Sequence, residues 1–241
     1  MSTTDFYTQL PKQVKEFFDR QYEDSYRLLD ASRQPETGLY ADSFMTQGDN
    51  PDHRCSIAAT GVGLIGLCIA DMEGWDEKAA EKVITTLRAV TGKIDGCQIA
   101  QDAGFFAHFV DMKTGENLNS EISTIDTSLL VAGALFAGNH FHKKAPEIAK
   151  MANELLHDID WSLVVNDIET GSINMVIKDG KGTLPLPAYN EYVLVAHLAM
   201  LGQPENEQIQ ALWNTNFTEN KIKELPQIKY REIPVLTDPN G

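Results

Sequence analysis

Two carboxylates and several hydroxyl groups precede a nearly all-apolar segment near the middle of the chain. They lie in the stretch Ser120-Glu121-Ile122-Ser123-Thr124-Ile125-Asp126-Thr127. Ser123 and Asp126 have the spacing of a capping box, in which a hydroxyl and a carboxylate satisfy the first free amides of a helix. A structural cap and a functional site therefore remain equally open for these two residues. Glu121 lies outside the box, so capping does not explain it, and the stretch is a candidate site.

The elements that must position these groups are helices of two alternating kinds. Three segments are apolar on every side, which is typical of helices packed all round: residues 56–67, 124–138 and 191–201. Amphipathic segments precede and follow them: residues 11–31, 76–91, 145–158 and 205–214. Ser56, Ser123 and Asn190 begin the apolar members, 67 residues apart each time. This repeat of helical hairpins predicts an all-α fold, an α/α toroid whose inner helices form a barrel around a cavity.

Short β signals lie between the hairpins. The stretch from Phe105 to Asp111 predicts a strand, and Lys113-Thr114-Gly115 predicts the turn after it. Residues 161–166 and 172–178 predict a β-hairpin across Glu169-Thr170-Gly171. We expect these hairpins to be excursions at the barrel mouth. No linker rich in Pro, Ser or Gly divides the chain, so we expect residues 1–241 to form a single domain.

The composition excludes several classes of partner. The chain has 241 residues, of which 42% are hydrophobic and 23% charged, enough to bury the core of one large soluble domain. Its formal net charge is −15 and it has no basic run, so a nucleic-acid backbone would be repelled. The apolar run 57–70 is too short and too rich in glycine to cross a bilayer, so we expect no membrane partner.

Cysteine usage and the first residues bear on metals and location. Cys55, Cys68 and Cys97 show neither metal-ligand spacing nor an even count, so we expect no metal site and no disulfide framework. The first five residues lack the basic and apolar regions of a signal peptide. This predicts a cytoplasmic protein, or a periplasmic or extracellular one if a signal has been removed.

Five motifs carry a resemblance along nearly the whole chain. They are Ser56-Ile57-Ala58-Ala59-Thr60-Gly61 with Gly74-Trp75, Gly104-Phe105-Phe106-x-His108-Phe109-x-Asp111, Thr114-Gly115, the stretch 120–127, and Asn190-Glu191-Tyr192 with Leu201-Gly202-x-Pro204. In order and spacing they resemble the bacterial putative glucoamylase family, which includes endo-β-1,2-glucanases. The resemblance implies an (α/α)6 barrel and inverting hydrolysis of a glucan, either β-1,2-glucan or a related glucose polymer. It implies no metal and no organic cofactor.

The resemblance also assigns roles to particular residues. An inverting glycosidase needs a carboxylic acid and a second carboxylate about 6.5–9.5 Å apart. The family motif implies that Glu191 is the acid, and apolar neighbours would favour the protonated form that an acid needs. The alternative is a glutamate stabilised by the dipole at a helix start. Glu121 and Asp126 resemble residues that contact substrate or position the attacking water.

Other positions are weaker candidates for contacts with a sugar. Asp42 resembles a residue of the family's cleft but could equally cap a turn. Tyr189 and Tyr192 flank Glu191, and their rings could stack on pyranose faces or pack in the core. Core packing is also the expectation for three other aromatic residues, and His108 is interpreted as a structural histidine within a strand. The three aromatic residues are Trp75, Phe105 and Phe106.

The chain departs from the family in its length. Family members continue well beyond this length, and their second halves supply further inner helices and acidic residues, including the catalytic base. Three and a half hairpins cannot close a barrel of six, so this chain corresponds to the N-terminal part of an incomplete (α/α)6 barrel with apolar surface at its open edge. One hypothesis is a partial glycoside hydrolase, completed by a second chain or by self-association. The alternative is a truncated, catalytically silent relative that binds glucan or forms oligomers.

Overall fold

The structure is a computed structural model that describes residues 7–45 and 53–236. Its body consists of helices in two layers. The described helices are α1 (Lys12–Ala31), α2 (Ile57–Glu73), α3 (Ala79–Val90), α4 (Thr124–Phe141), α5 (Pro146–His157), α6 (Val193–Gly202), α7 (Glu207–Asn216) and α8 (Glu219–Glu224).

The inner layer consists of α2, α4 and α6, and the outer layer contains α3, α5 and α7. Helix α4 packs between α2 and α6, and each inner helix also packs against the outer helix that follows it in the chain. The interface between the layers is apolar, with Leu67, Leu130 and Ile148 fully buried. The chain therefore has the alternation of inner and outer helices that the hydrophobic pattern predicts.

Helices α2 and α4 approach each other so closely that their backbones touch. A Cβ atom built on Gly133 would lie 2.2 Å from the carbonyl oxygen of Gly61. A Cβ atom on Gly61 would lie 2.3 Å from the carbonyl oxygen of Leu129. Glycine is therefore required at both positions for this crossing, because any side chain would collide with main-chain atoms rather than with a movable side chain.

The first two inner helices begin in the same way. Ser56 is the N-cap of α2 and accepts a hydrogen bond from the amide of Ala59, and Ser123 caps α4 by accepting from the amide of Asp126. The caps satisfy amides that would otherwise have no partner at a helix start.

The third inner helix begins differently from the prediction. Its first residue is Val193, and Asn190 instead forms a turn in which its side-chain oxygen accepts from the Tyr192 amide at 2.9 Å. Glu191 therefore lies in a turn before the helix, not in its first turn. Its side chain is exposed, so the apolar neighbours in the sequence do not desolvate it in this structure.

Two of the strands, β1 and β5, lead directly into the inner helices α2 and α4. The strands are β1 (Arg54–Ser56), β2 (Gln101–Asp102), β3 (Phe105–Phe106), β4 (Phe109–Asp111), β5 (Ile122–Ser123), β6 (Val165–Asp167), β7 (Ser172–Lys178), β8 (Lys181–Leu186), β9 (Gln227–Tyr230) and β10 (Ile233–Leu236). All pairings are antiparallel: β1 with β4, β2 with β3, β9 with β10, and β7 with each of β5, β6 and β8. The strands are thus more extensive than short excursions.

The predicted hairpin around residues 169–171 forms between β6 and β7, but its first half is shorter than expected. Trp161–Val164 is a 3-10 helix, not a strand. The cause is the indole of Trp161, which is fully buried against Phe105 and donates a hydrogen bond to the carbonyl of Leu156 at 2.8 Å. Anchoring this ring beneath the end of α5 holds the backbone in a tight turn.

Apolar side chains are exposed or half-buried on all three inner helices. On α2 they are exposed Val62 and Met72 with half-buried Ile65 and Ile69, which lie on one face at helical spacing. Exposed apolar side chains on the other two inner helices are Leu129, Phe136 and Leu201. We call these side chains the open face. Helices that are apolar all round are normally covered all round, so the open face is an uncovered part of the inner layer.

We predict that Gly61→Ala lowers the free energy of unfolding by about 1–3 kcal/mol, because the added methyl group forces α2 and α4 apart. Urea denaturation monitored by circular dichroism measures this. Gly66→Ala is the matched control, since its methyl group would meet only the flexible end of Leu29. That variant should be neutral or slightly stabilised, because alanine favours a helix. Equal stabilities of the two variants would contradict the requirement for glycine at the crossing.

Candidate functional site

The candidate site is built on a pair of extended segments between the starts of α2 and α4. Ala107 forms a bridge with Ile122, which places His108 opposite Glu121. The amide of His108 donates to the carbonyl of Glu121 at 2.9 Å, and the carbonyl of His108 accepts from the amide of Ile57 at 3.2 Å. The backbone of His108 is thus held from both sides, by the first residue of α2 and by the residues that lead into α4.

Two hydroxyl groups fasten this pair, one within it and one from α4. The Ser120 hydroxyl accepts from the amide of Phe109 at 2.8 Å. The Thr127 hydroxyl accepts from the amide of Phe106 at 2.9 Å and donates to the carbonyl of Ser123 at 2.7 Å. These bonds explain why hydroxyl residues are so frequent in the stretch 120–127, since each satisfies a buried main-chain group.

The imidazole of His108 lies between two carboxylates. Its Nδ1 is 3.0 Å from Oε1 of Glu121, and its Nε2 is 3.5 Å from Oδ1 of Asp126. The ring stacks on Phe109 with centroids 3.7 Å apart. Asp126 is buried, whereas the Glu121 side chain is 45% exposed. His108 therefore connects a buried carboxylate to an exposed one.

Asp126 is itself anchored by the helix cap. Its Oδ2 accepts from the Ser123 hydroxyl at 2.5 Å, while the Asp126 amide donates to the same hydroxyl oxygen at 3.2 Å. The capping interpretation of Ser123 is thus confirmed. Asp126 lies in the first turn of α4.

Tyr192 is a buried phenol next to Glu191 in the chain. The tyrosine is 4% exposed, and burial is the main cause that raises its pKa to about 12. The negative charges of Glu191, Asp126 and Glu121 raise this pKa further. Glu191 itself lies in the turn before α6, the inner helix that packs against α4.

The structure does not bring every candidate to this cluster. The hydroxyl of Tyr189 donates to the carbonyl of Asn216 at 2.6 Å, and its ring packs against Phe217, which ties it to the end of α7. Asp42 is exposed and follows the residue paired with Cys55 in β1, where its amide donates to the carbonyl of Arg54. This position lies toward the far end of β1 from His108.

The aromatic residues expected to pack in the core do so in two places. Phe105 and Phe106 are buried, and Phe105 contacts Trp161 edge to face. Trp75 is partly buried and contacts the rings of Tyr22 and Tyr26 on α1.

His108 is the residue of this site that sequence reasoning did not assign to it. The sequence pattern indicated a strand around His108, from which we interpreted it as a structural histidine. The pattern did not indicate that this strand pairs with residues 120–123. Antiparallel pairing of the two segments through Ala107 and Ile122 would have placed His108 opposite Glu121. The signal was therefore the register between two short segments, which local spacing does not reveal.

The part of the chain that the structure describes holds neither a candidate metal centre nor a membrane-spanning helix. Within residues 7–45 and 53–236, no cluster of three or more histidine, cysteine, aspartate or glutamate side chains is arranged to hold a metal ion. Among the helices of the same ranges, none combines the length and apolar character needed to cross a bilayer.

We predict that the chain loses stability between about pH 10 and 12 through Tyr192. The unfolded chain ionises this phenol near pH 10, while the folded chain keeps it protonated to about pH 12. The stability that Tyr192 contributes is therefore full below pH 10 and is lost as the pH rises to 12, by at most about 3 kcal/mol. Tyr192→Phe, which cannot ionise, should show a smaller loss in urea denaturation over this range than the natural chain. An identical loss in both would contradict the prediction.

Comparison with known proteins shows similarity of fold without close similarity of sequence. No protein-family profile and no curated protein sequence matches the chain. An endo-β-1,2-glucanase from Chitinophaga pinensis, solved with sophorotriose and glucose, superposes with a TM-score of 0.75 at 14% identity over 92% of this chain and 54% of its own. A putative glucoamylase from Bacteroides caccae superposes with a TM-score of 0.74 at 14% identity over 92% of this chain and 56% of its own.

A third solved structure of similar fold has a much longer chain. The β-1,2-glucanase from Parabacteroides distasonis superposes with a TM-score of 0.68 at 17% identity, over 80% of this chain but 28% of its own. This chain therefore spans little more than half the length of the first two structures. Its fold is similar to that of endo-β-1,2-glucanases and putative glucoamylases, and it corresponds to part of such a chain.

Proposed function

We propose that this chain is a partial glycoside hydrolase that binds a glucan, either β-1,2-glucan or a related glucose polymer, and acts by inversion when completed. The observation that carries the proposal is the pair of carboxylates, Glu121 and Asp126, on either side of His108 at the start of α4, with Glu191 in the turn before the neighbouring helix α6. Carboxylates at a helix-lined mouth are the groups that glycoside hydrolysis requires. The shared fold with glucan-acting enzymes supports the same class of substrate.

Glu191 is the group best placed to act as the acid. It lies in a turn before α6 and is exposed, so its carboxyl can reach a ligand. In an inverting reaction the acid gives its proton to the glycosidic oxygen while the bond from that oxygen to the anomeric carbon breaks. A second carboxylate takes a proton from the water that attacks the same carbon on the opposite face.

Neither of the other two carboxylates of the site is suited to act as the base. Asp126 directs one oxygen to Ser123 and the other toward His108. Glu121 directs Oε1 to the same imidazole. Carboxylates held in this way suit substrate binding better than the abstraction of a proton from water. We therefore assign Glu121 to substrate contact and place the base outside this chain.

The same arrangement favours one alternative function. A cluster whose carboxylates are mostly engaged with a histidine and a serine would also suit a protein that binds glucan without cleaving it. In that case Glu191 would be a further contact to the sugar. A catalytically silent, glucan-binding relative is therefore the second candidate, and turnover after addition of the missing base separates the two.

The open face bears on the partner of this chain. It consists of apolar side chains on α2, α4 and α6, among which Val62 is 51%, Phe136 49% and Leu201 47% exposed. The structural neighbours contain almost as much chain again beyond the part that matches. We propose that a second α/α unit, supplied by another chain or by a second copy, covers the open face and closes the toroid.

We predict that the chain alone binds sophorotriose but releases reducing sugar from β-1,2-glucan slowly or not at all. Loss of one partner of a general acid–base pair typically lowers the rate about 10²–10⁴-fold. Isothermal titration calorimetry and a reducing-sugar assay measure the two properties. Glu191→Gln should abolish any residual turnover and retain binding within about tenfold. Full turnover by the natural chain that survives this substitution would refute the assignment of the acid.

We predict that the chain self-associates at micromolar concentration in the absence of another partner, because the open face is apolar. Sedimentation velocity measures the association. Phe136→Glu should weaken it at least about tenfold, since a charge would be buried in the contact. Phe17→Glu on α1 is the matched control, because Phe17 is similarly exposed but does not belong to the open face. An equal effect of the two substitutions would refute the role of the open face.

A further inference from the structure

We propose that His108 is a positioning residue, which holds the Glu121 carboxylate in place for a sugar by bracing it against buried Asp126. This inference rests on the proposed function of the site. Four side chains form a continuous series from the buried first turn of α4 to the exposed surface: Ser123, Asp126, His108 and Glu121. Each contacts the next through one atom pair.

The buried end of the series is fixed. Asp126 and Ser123 are both buried, and the hydroxyl both donates to the carboxylate and accepts from the Asp126 amide. The aspartate oxygen that remains, Oδ1, points toward Nε2 of His108. The position of the imidazole is thus set from inside the protein.

The imidazole can transmit that position because it cannot turn freely. Its ring lies on Phe109, and its own amide and carbonyl are hydrogen bonded to Glu121 and Ile57. The two ring nitrogens point in different directions, and an imidazole protonated on both nitrogens can donate to both carboxylates at once. The charged groups around the ring are Glu121 and Asp126, with Arg54 over the Phe109 ring.

The exposed end is where a ligand would meet the series. Glu121 uses Oε1 for His108, and within the described residues its Oε2 has no hydrogen-bond partner. A carboxylate on a flexible exposed side chain would otherwise lose rotamer freedom when it binds a sugar hydroxyl. Holding Oε1 removes part of that entropy cost before the sugar arrives, which raises affinity.

Amide side chains can test the two contacts separately. The side-chain nitrogen of asparagine occupies roughly the place of Nδ1, and that of glutamine roughly the place of Nε2. His108→Asn should therefore keep the contact with Glu121, and His108→Gln should keep only that with Asp126. We expect sophorotriose affinity to fall about tenfold in His108→Ala, to recover in part in His108→Asn and to stay low in His108→Gln. His142→Ala, an exposed histidine beyond the other end of α4, is the matched control and should bind like the natural chain.

A second measurement separates this inference from the proposed function. The thermal midpoints of His108→Ala, Glu121→Gln and the double variant form a cycle that needs no ligand. We expect the loss in the double variant to be smaller than the sum of the single losses, because the two residues act as a pair.

Each outcome decides a different claim. If the natural chain binds no glucan oligosaccharide but the cycle shows coupling, the proposed function fails and the series itself stands. If the single losses add, or if His108→Gln and His108→Asn bind sophorotriose equally well, the positioning role of His108 is refuted.

Discussion

The backbone contact between α2 and α4 is the constraint on which the rest of the molecule depends. Gly61 and Gly133 let the two helices touch, so the residues before each helix also come close together. The segment 105–111 then spans the gap: β4 pairs with β1 ahead of α2, and Ala107 pairs with Ile122 ahead of α4. A wider crossing would separate these partners, and His108 would lose either Ile57 or Glu121. The site is thus a consequence of how closely two helices pack.

The candidate site has fixed side chains in its buried part and exposed side chains that a ligand can reach. Its inner members are hydroxyl groups that accept from main-chain amides and one aspartate that accepts from the Ser123 hydroxyl, so their geometry is determined by the helix start. Its outer members, Glu121 and Glu191, are exposed and come from the segments that lead into α4 and α6. Tyr192, which follows Glu191, is buried, and its raised pKa keeps it neutral over the physiological pH range.

The sequence pattern predicted the helical body well and the site only in part. Inner and outer helices follow from hydrophobic periodicity, which is a local property, and the caps at Ser56 and Ser123 follow from local spacing.

The predictions that were wrong concern features that local spacing does not determine. The third inner helix does not begin at Asn190 as predicted, because the Asn190 side chain accepts a hydrogen bond within its own turn instead of capping the helix. The strand predicted from Trp161 does not form, because the Trp161 indole is hydrogen bonded to the Leu156 carbonyl and this contact outweighs the strand preference of the local sequence. Strand β8 contains Gly182 and Pro185, residues that disfavour strands, and it forms only because β7 supplies its partner. The placement of His108 opposite Glu121 depends on the register between two segments that are distant in the sequence, and a local pattern carries no information about that register.

The open face has a consequence for how this sequence changes over generations. A side chain such as Phe136 or Val62, once covered, fits a complementary shape on whatever covers it, so a substitution on one side is tolerated only with a matching substitution on the other. Under the proposal that a second α/α unit covers the open face, the inner helices of this chain and that unit would vary together. Each would then carry in its sequence a record of the changes in the other.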